Sequence, residues 1–447
     1  MSQAPWWSAH LPAGLRQRLE GRPLVRAILG NTGWLFADRL LRMALGMLVG
    51  VWVARYLGPA RYGALNYAAN MAGTFAILAA LDMDSVLVRE LALRPGHEQA
   101  LLGTAFRLRA FAGLPALALA VGTTWALRPQ EPQLAVMTGL FGVAIFSQSP
   151  DVIEAWFRSR LKAQWVVIAR GSAYVVVALL RVGLILSGAG VVAFAGAAAA
   201  EALLASAALW VVFLRKGGPS GHWAWDAQRA KAMLALAWPL LLSSLAVIGY
   251  MKIDQFMLAA MVGDAEVGRY AAAVRLSELW YFMPMALASS AAPALAEAQR
   301  DPAIFEQRWI KLFRAMLYMS LPVALLMTLL AEPLCQLLYG ASFEGTGAIL
   351  ALHIWAAVFV FIGVAQGAGE VARGQTRQMM IRTWSGALLN VALNLVWIPR
   401  WQGMGAAAAT VVSYAVANSV ALSFSAAGRR DLRVQGRALL SALGRPA

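Results

Sequence analysis

Apolar stretches about twenty residues long recur along this chain about twelve times, separated by short polar connections, and a run of about 20 apolar residues spans the hydrocarbon of a bilayer as a helix. Within lipid each backbone amide must be satisfied inside its own segment or a closed barrel. Hydrophobic residues make up 60% of the 447 and charged residues 13%, too apolar and too periodic for a soluble core. The rhythm predicts an all-α polytopic membrane protein with about twelve transmembrane helices, at 33–54, 64–87, 103–127, 134–157, 164–187, 191–214, 232–261, 269–295, 310–331, 347–372, 379–399 and 404–427. Pro115, Pro239, Pro284 and Pro322 fall inside these spans. Such breaks are tolerated where neighbouring helices or cavity water satisfy the freed carbonyls.

The formal charge is +16. A basic balance can signal nucleic acid, but here the cations sit in the connections. Apart from Arg39, Arg42, Arg170, Arg181, Lys252 and Arg275, 27 Lys and Arg residues fall in or beside the two termini and the even connections and five (Arg55, Arg61, Arg128, Arg269 and Arg400) in or beside the odd ones. The positive-inside rule then puts both termini in the cytoplasm and requires an even number of spans. Nucleic acid is not an expected partner. Residues 1–30 carry Arg16, Arg18, Arg22 and Arg26 among Leu11, Leu15 and Leu19 at helical spacing. That pattern fits a cytoplasmic amphipathic segment lying on the anionic leaflet as well as a disordered basic tail, and it is not that of a cleavable signal peptide.

Several chemistries are disfavoured. Cys335 is the one cysteine and lies in an apolar segment, so no intrachain disulfide or redox pair can form. His10, His97, His222 and His353 lack metal-ligand spacing. No Gly-Lys pair occurs, which removes the phosphate-binding loop of ATP-driven proteins. The external connections are too short to house a catalytic domain, which speaks against a membrane-embedded glycan enzyme. No metal and no cofactor is expected.

The frame G-x-A-x-x-G-x-x-x-x-A occurs twice, at Gly58-Pro-Ala60-Arg-Tyr-Gly63 with Ala68 and at Gly263-Asp-Ala265-Glu-Val-Gly268 with Ala273, offset by 205 residues. It joins span 1 to span 2 and span 7 to span 8. Six spans per half give both copies one orientation, hence two parallel six-helix lobes of the kind that bind substrate between them and alternate access. The run Gly217-Gly218-Pro219-Ser220-Gly221 marks the break. The expected division is therefore 1–30 (N-terminal segment), 31–216 (N-lobe), 217–231 (linker), 232–428 (C-lobe) and 429–447 (basic cytoplasmic tail).

A charge at mid-bilayer costs roughly 2.5–3.5 kcal/mol on insertion scales, so such residues face a bundle interior or a wet cavity. This chain places Asp38, Arg39, Arg42, Arg170, Arg181, Glu201, Lys252, Asp254, Arg275, Glu278 and Glu370 within spans. Asp38 with Arg42 and Arg275 with Glu278 stand one helical turn apart and can brace their own helices. Lys252 and Asp254 point to different faces. Lys252 is the better cavity candidate, and Asp254 reads as packing near the span 7–8 turn. Arg170 and Arg181, eleven residues apart, return nearly to one face; snorkelling of Arg170 to the interface is the alternative. Arg39, Arg42, Arg170, Arg181, Lys252 and Arg275 are the candidate substrate-binding residues of a central cavity, suited to an anion such as a pyrophosphate that arginine grips in bidentate fashion. Asp38, Glu278 and Glu370 are the candidate ion-coupling carboxylates. Trp34, Trp52, Trp125, Trp210, Trp238, Trp280, Trp397 and Trp401 lie near span ends and read as interfacial anchors. Gly46-x-x-x-Gly50 and Gly363-x-x-x-Gly367 permit close helix approach, and Asn390 and Asn394 share one face for interhelical hydrogen bonds.

The stretch Ala54-Arg-Tyr-Leu-Gly-Pro-Ala-Arg-Tyr-Gly63 resembles the first-loop signature of the bacterial oligosaccharide flippases (Wzx-type, polysaccharide transporter family). The segment from Lys252-Ile-Asp-Gln-Phe-Met-Leu through Gly263-Asp-Ala-Glu-Val-Gly-Arg-Tyr270 to Ser277-Glu-Leu-Trp-Tyr-Phe-Met-Pro284 is similar to that family's span 7–8 pattern. The resemblance implies membership of the superfamily (MOP) that also holds MATE exporters and lipid II flippases, and a MATE-like V of two six-helix lobes. It implies movement of an undecaprenyl-pyrophosphate-linked glycan across the bacterial inner membrane for cell-surface polysaccharide biosynthesis, among membrane lipids and with polysaccharide polymerase machinery as a partner. Lipid II flippases usually carry two further helices, which the twelve spans here do not supply. A cation-coupled multidrug exporter is the alternative, and it would depend on the buried acids more than on the arginines.

Overall fold

A computed structural model describes residues 23–94, 96–219, 221 and 223–442; the N-terminal segment up to residue 22 and the end of the basic tail lie outside them. The described residues are helical, with no strand. In chain order the α-helices are α1 (Pro23–Ala80), α2 (Asp84–Leu93), α3 (Glu98–Leu127), α4 (Pro132–Phe146), α5 (Val152–Ser159), α6 (Ala163–Leu186), α7 (Val191–Arg215), α8 (Ala227–Met261), α9 (Asp264–Glu278), α10 (Phe282–Glu297), α11 (Pro302–Tyr339), α12 (Thr346–Ala372), α13 (Thr376–Asn418) and α14 (Ala426–Ala442). Among the described residues, eight helical runs are long and apolar enough to cross a membrane. Two of these cover two expected spans each: Gly30–Leu93 contains the first two, and Arg377–Phe424 holds the eleventh and all but the last three residues of the twelfth. α1 is two helices joined at Gly58, whose φ of 71° puts it in the left-handed region ahead of Pro59. α13 bends at Gln402 (φ 50°), three residues after Pro399.

Several spans are less regular than the hydropathy rhythm predicts. The second ends at Ala80 and restarts at Asp84, with Leu81 and Asp82 both at positive φ. The fourth breaks over Ser147–Asp151 into α4 and α5. The eighth carries a 3-10 turn at Leu279–Tyr281. The twelfth stops at Asn418, and the chain turns through Val420–Phe424 into α14, so the tail expected to start at 429 is largely an ordered helix.

The chain divides into two compact units, one of residues up to 50 with 71–242, the other of 51–70 with the residues from 243 on. These bounds differ from the expected lobes at two places, each with a packing cause. The linker belongs to the first unit because Trp223 stacks on Trp210 (ring centroids 5.1 Å apart, 24° between planes) and meets Phe106 and Phe213 edge-on. This cluster extends to Trp156 and Phe157. Trp210 is therefore a packing residue rather than an interfacial anchor, whereas Trp52, Trp125, Trp238 and Trp401 are exposed at span ends as expected. Residues 51–70 belong to the second unit because the two copies of the repeated frame pack against each other. A methyl built on Gly63 would overlap the carbonyl of Asp264 and come within 2.8 Å of the Gly268 nitrogen, and one built on Gly268 would overlap the carbonyl of Pro59. Each copy's second glycine thus admits the other's backbone.

In the second unit, the indole of Trp309 on α11 is fully buried and donates to the Ala365 carbonyl of α12 at 2.8 Å. Gly369 leaves the space that the indole ring fills. Of the pair Gly363 and Gly367, Gly363 meets a neighbour, the Asn418 side chain; nothing lies near Gly367. α11 begins at an Asp301 cap whose carboxylate accepts from the Ala303 and Ile304 amides at 2.9 and 3.1 Å, satisfying two of the four amides a helix start leaves open.

Candidate functional site

In the first unit the break in the fourth span builds a polar wall. Where α4 ends, Ser147 turns back to the Val143 carbonyl, and Gln148 and Asp151 face a cavity of about 470 Å³. α7 supplies the opposite wall with Ala198, Glu201, Ala202, Ala205 and Ser206, a helical stripe in which the small side chains leave the volume open. Arg42 of α1 and Arg170 and Arg181 of α6 line the same cavity. The eleven-residue spacing does bring Arg170 and Arg181 to one side of α6.

These arginines are not free. Arg42 Nε donates to both oxygens of Asp38 at 3.0 Å, its guanidinium lies 5.1 Å from the Tyr174 ring centroid, and the Tyr174 hydroxyl donates to its carbonyl at 3.2 Å. Arg181 pairs with Glu201 at 2.8 Å. Arg170 binds Asp151 and reaches Glu154 at 3.1 Å. The lining holds three arginines against Asp151 and Glu201, and each guanidinium rests on a carboxylate. Pairing is what lets charges of both signs persist at membrane depth. Arg39, one residue from Asp38, is exposed.

The remaining expected site residues fall in the second unit and do not form one cluster. Lys252 stands 3.8 Å from Glu278, so Glu278 pairs across helices rather than with Arg275 one turn away. Arg275 donates to the Tyr62 hydroxyl at 3.2 Å, tying α9 to the first copy of the repeat. Glu370 is fully buried and accepts from Arg382 at 3.2 Å and Gln366 at 3.1 Å. It braces α12 against α13.

Asp254 reads from the sequence as packing near the span 7–8 turn, and its surroundings are more polar than that reading supplies. It is buried, and its carboxylate accepts from the Tyr270 hydroxyl (2.7 Å), the Thr410 hydroxyl (2.7 Å) and the Asn394 amide (3.0 Å). The other buried carboxylates, Glu266, Glu370 and Asp431, each lie within ion-pair distance of an arginine; among the described residues Asp254 alone is held by neutral donors. Asn394 also accepts no hydrogen bond at its own buried Oδ1 while its amide donates to Asn390. A carboxylate, two hydroxyls and an open amide oxygen form an all-oxygen set of the kind hard cations take. The signal available in the sequence was the shared face of Asn390 and Asn394, together with an acid in span 7 lacking a partner on its own helix.

Comparison with known proteins follows the same lines. Residues 52–347 match the family described as "Polysaccharide biosynthesis protein". No curated protein matches the chain. Among solved structures it is similar to "Lipid II flippase MurJ, inward closed conformation", with TM-score 0.72 and 15% identity over 93% of this chain and 91% of that one. It is similar to the inward-facing conformation of a multidrug resistance MATE family transporter of the MOP superfamily, with TM-score 0.72 and 16% identity over 89% of this chain and 96% of that one. A MOP superfamily transporter from Pyrococcus furiosus, with a binding pocket described as of reverse polarity, gives TM-score 0.64 and 16% identity over 92% and 96%. The fold is that of these solved transporter and flippase structures, and the family is the one described as "Polysaccharide biosynthesis protein".

Proposed function

The chain belongs to the polysaccharide biosynthesis protein family, and from that premise we propose that it moves a polyprenyl-pyrophosphate-linked oligosaccharide across the bacterial inner membrane by alternating access. Both termini lie on the cytoplasmic side in this reading, and the product passes to polysaccharide polymerase machinery. The observation that carries it is the cavity lined by Arg42, Arg170 and Arg181. Pyrophosphate oxygens match the planar guanidinium fork as carboxylate oxygens do, so an arriving headgroup exchanges with Asp151 and Glu201 rather than meeting a bare cation. The carboxylates hold the arginines in place before the cargo binds and lower the cost of keeping them in the membrane.

Coupling falls to Asp254 in the same reading. A buried acid held by neutral donors changes its charge or takes a cation, H+ or Na+, without first breaking an ion pair, which Asp38, Glu278 and Glu370 cannot do. Arg42→Ala, Arg170→Ala and Arg181→Ala are expected to abolish surface glycan and accumulate the lipid-linked precursor. Asp254→Asn, which keeps the shape and an acceptor oxygen, is expected to stop export while leaving folded protein. Normal surface glycan in the arginine variants refutes the assignment. A MATE-like drug exporter draws support from the two acids in the same cavity; it predicts drug sensitivity with normal glycan when Asp151 and Glu201 are neutralised.

A further inference from the structure

A second cavity, of about 620 Å³, lies in the second unit between the start of α11, the end of α12 and helix α14. Its floor is Phe305 and Trp309, over which the Arg373 guanidinium sits at 5.7 and 4.5 Å from the ring centroids. Arg430 of α14 and Val371 of α12 also line it. α12 runs 27 residues as an apolar helix, about 40 Å at 1.5 Å per residue. That exceeds the roughly 30 Å hydrocarbon thickness and sets its last residues, Val371 and Ala372, and the turn that follows at headgroup depth. Val371 is 61% exposed, an apolar side chain open at the cavity edge.

The charges of α14 are sorted by face. Its one acid, Asp431, is turned inward and fully buried, held by both Arg373 guanidinium nitrogens at 2.8 Å and by Gln366 at 2.8 Å. Arg429, Arg430, Arg433 and Arg437 are exposed, and of these Arg437 binds Glu306, another lining residue. The outward face of the helix therefore bears arginines and no acid, and among the described residues Arg430 has no carboxylate within ion-pair distance. Leu439 and Leu440 share the exposed side, and Phe424, just before the helix, is 83% exposed. Arginines clustered at the end of a span, with apolar side chains beside them, fit an anionic lipid surface. The cavity at the same depth has Arg430 in its lining, its two acids Asp431 and Glu306 already paired with Arg373 and Arg437, and Phe305, Trp309 and Val371 as apolar wall, which fits one lipid's headgroup and the start of its chains.

We propose that the cavity beside Arg430 seats the headgroup of an anionic phospholipid from the leaflet in which α12 ends. Arg430 binds the phosphate, Arg429 and Arg433 add to the local field, and Val371 and Phe305 contact the glycerol and upper acyl chain. The site requires nothing of the transported cargo.

The test is native mass spectrometry of the full chain in detergent, titrated with phosphatidylglycerol, with phosphatidylcholine of matched chains, and with inorganic phosphate. Phosphatidylglycerol is expected to be retained over phosphatidylcholine. A basic residue near an anionic surface contributes about fivefold in affinity, so Arg430→Ala loses about fivefold and Arg430→Ala with Arg433→Ala about 25-fold, whereas Arg430→Lys retains most binding. These residues are exposed, so the variants keep their fold. Equal retention of the two lipids, or Arg430→Ala binding phosphatidylglycerol like the parent, overturns the proposal. Displacement by millimolar inorganic phosphate also overturns it, by marking a free-anion site. Glycan export is not read in this assay, so its failure leaves the flippase reading untouched and the reverse also holds.

Discussion

Replacing Gly63 or Gly268 by alanine tests the packed repeat directly. In both positions the added methyl meets main chain, the Asp264 carbonyl for Gly63 and the Pro59 carbonyl for Gly268, so no side-chain rotation relieves it. Restoring ordinary contact requires the two segments to part by about 1 Å or more, and overpacking of this kind costs typically ~1–3 kcal/mol. Alanine in a helix recovers about 0.5–1 kcal/mol of backbone propensity, which leaves each variant destabilised by up to about 2.5 kcal/mol, with a midpoint of about 1 kcal/mol. Gly73 lies in the same helix with nothing within 4 Å of its built methyl, so Gly73→Ala isolates the propensity term and is expected to be neutral or stabilising. The double variant Gly63→Ala/Gly268→Ala is expected to fall short of the sum of the singles, because one separation accommodates both methyls. Thermal melts of detergent-purified protein followed by tryptophan fluorescence give the order Gly73→Ala, parent, then the two clash variants. Melting of Gly63→Ala at or above the parent, or full additivity in the double variant, refutes the reciprocal contact.

Three further outcomes follow from the same geometry. Arg181→Ala strands Glu201 in the wall of its cavity at a cost of about 1–3 kcal/mol, and Arg181→Ala/Glu201→Ala recovers most of it; a melt in which the double variant is no better than the single contradicts the pairing. Trp309→Ala removes a fully buried indole and its hydrogen bond, an expected loss of about 3–5 kcal/mol, whereas Trp401→Ala, at an exposed site, stays within about 0.5 kcal/mol; size-exclusion yield of folded protein separates the two. Asp431→Ala leaves Arg373 without its bidentate partner and is expected to release α14, read as faster limited proteolysis within 426–442, and unchanged cleavage there disproves the latch.

Much of the architecture was legible because the bilayer enforces it. Hydrophobic length and the alternation of basic loops mark span positions without any knowledge of packing, and the paired glycines of the repeated frame show that two distant loops are alike. The sequence did not show that these loops touch, since a glycine demanded by a neighbour's carbonyl looks the same as one demanded by a turn. Span ends were misplaced wherever a local break interrupts an apolar run: Leu81 and Asp82 at positive φ, the Ser147–Asp151 interruption and the stop at Asn418 leave little trace in hydropathy. Ion pairing was legible for one of the two pairs one turn apart and illegible between helices. Asp38 and Arg42 pair as their spacing predicts, but Glu278 takes Lys252, and Arg181 takes Glu201 on the next helix, partners that depend on helix rotation.

That distinction bears on how a cargo site in a membrane is to be recognised. The in-span charges named from the sequence include six cations and five acids, a near balance that does not say which of them meet. In the folded chain the cost of burying a guanidinium is offset at once by the nearest carboxylate, so net charge says little about which anion a cavity accepts. What separates residues in that cavity from braces is access. Arg382 and Glu370 are bonded to each other at 9% and 0% side-chain exposure, where an incoming anion cannot reach, whereas Arg181 and Glu201 keep 22% and 24% and line open volume. A pair that is satisfied and still accessible can exchange partners, and the proposed binding of an anionic headgroup at Arg42, Arg170 and Arg181 requires that property more than it requires an excess of positive charge.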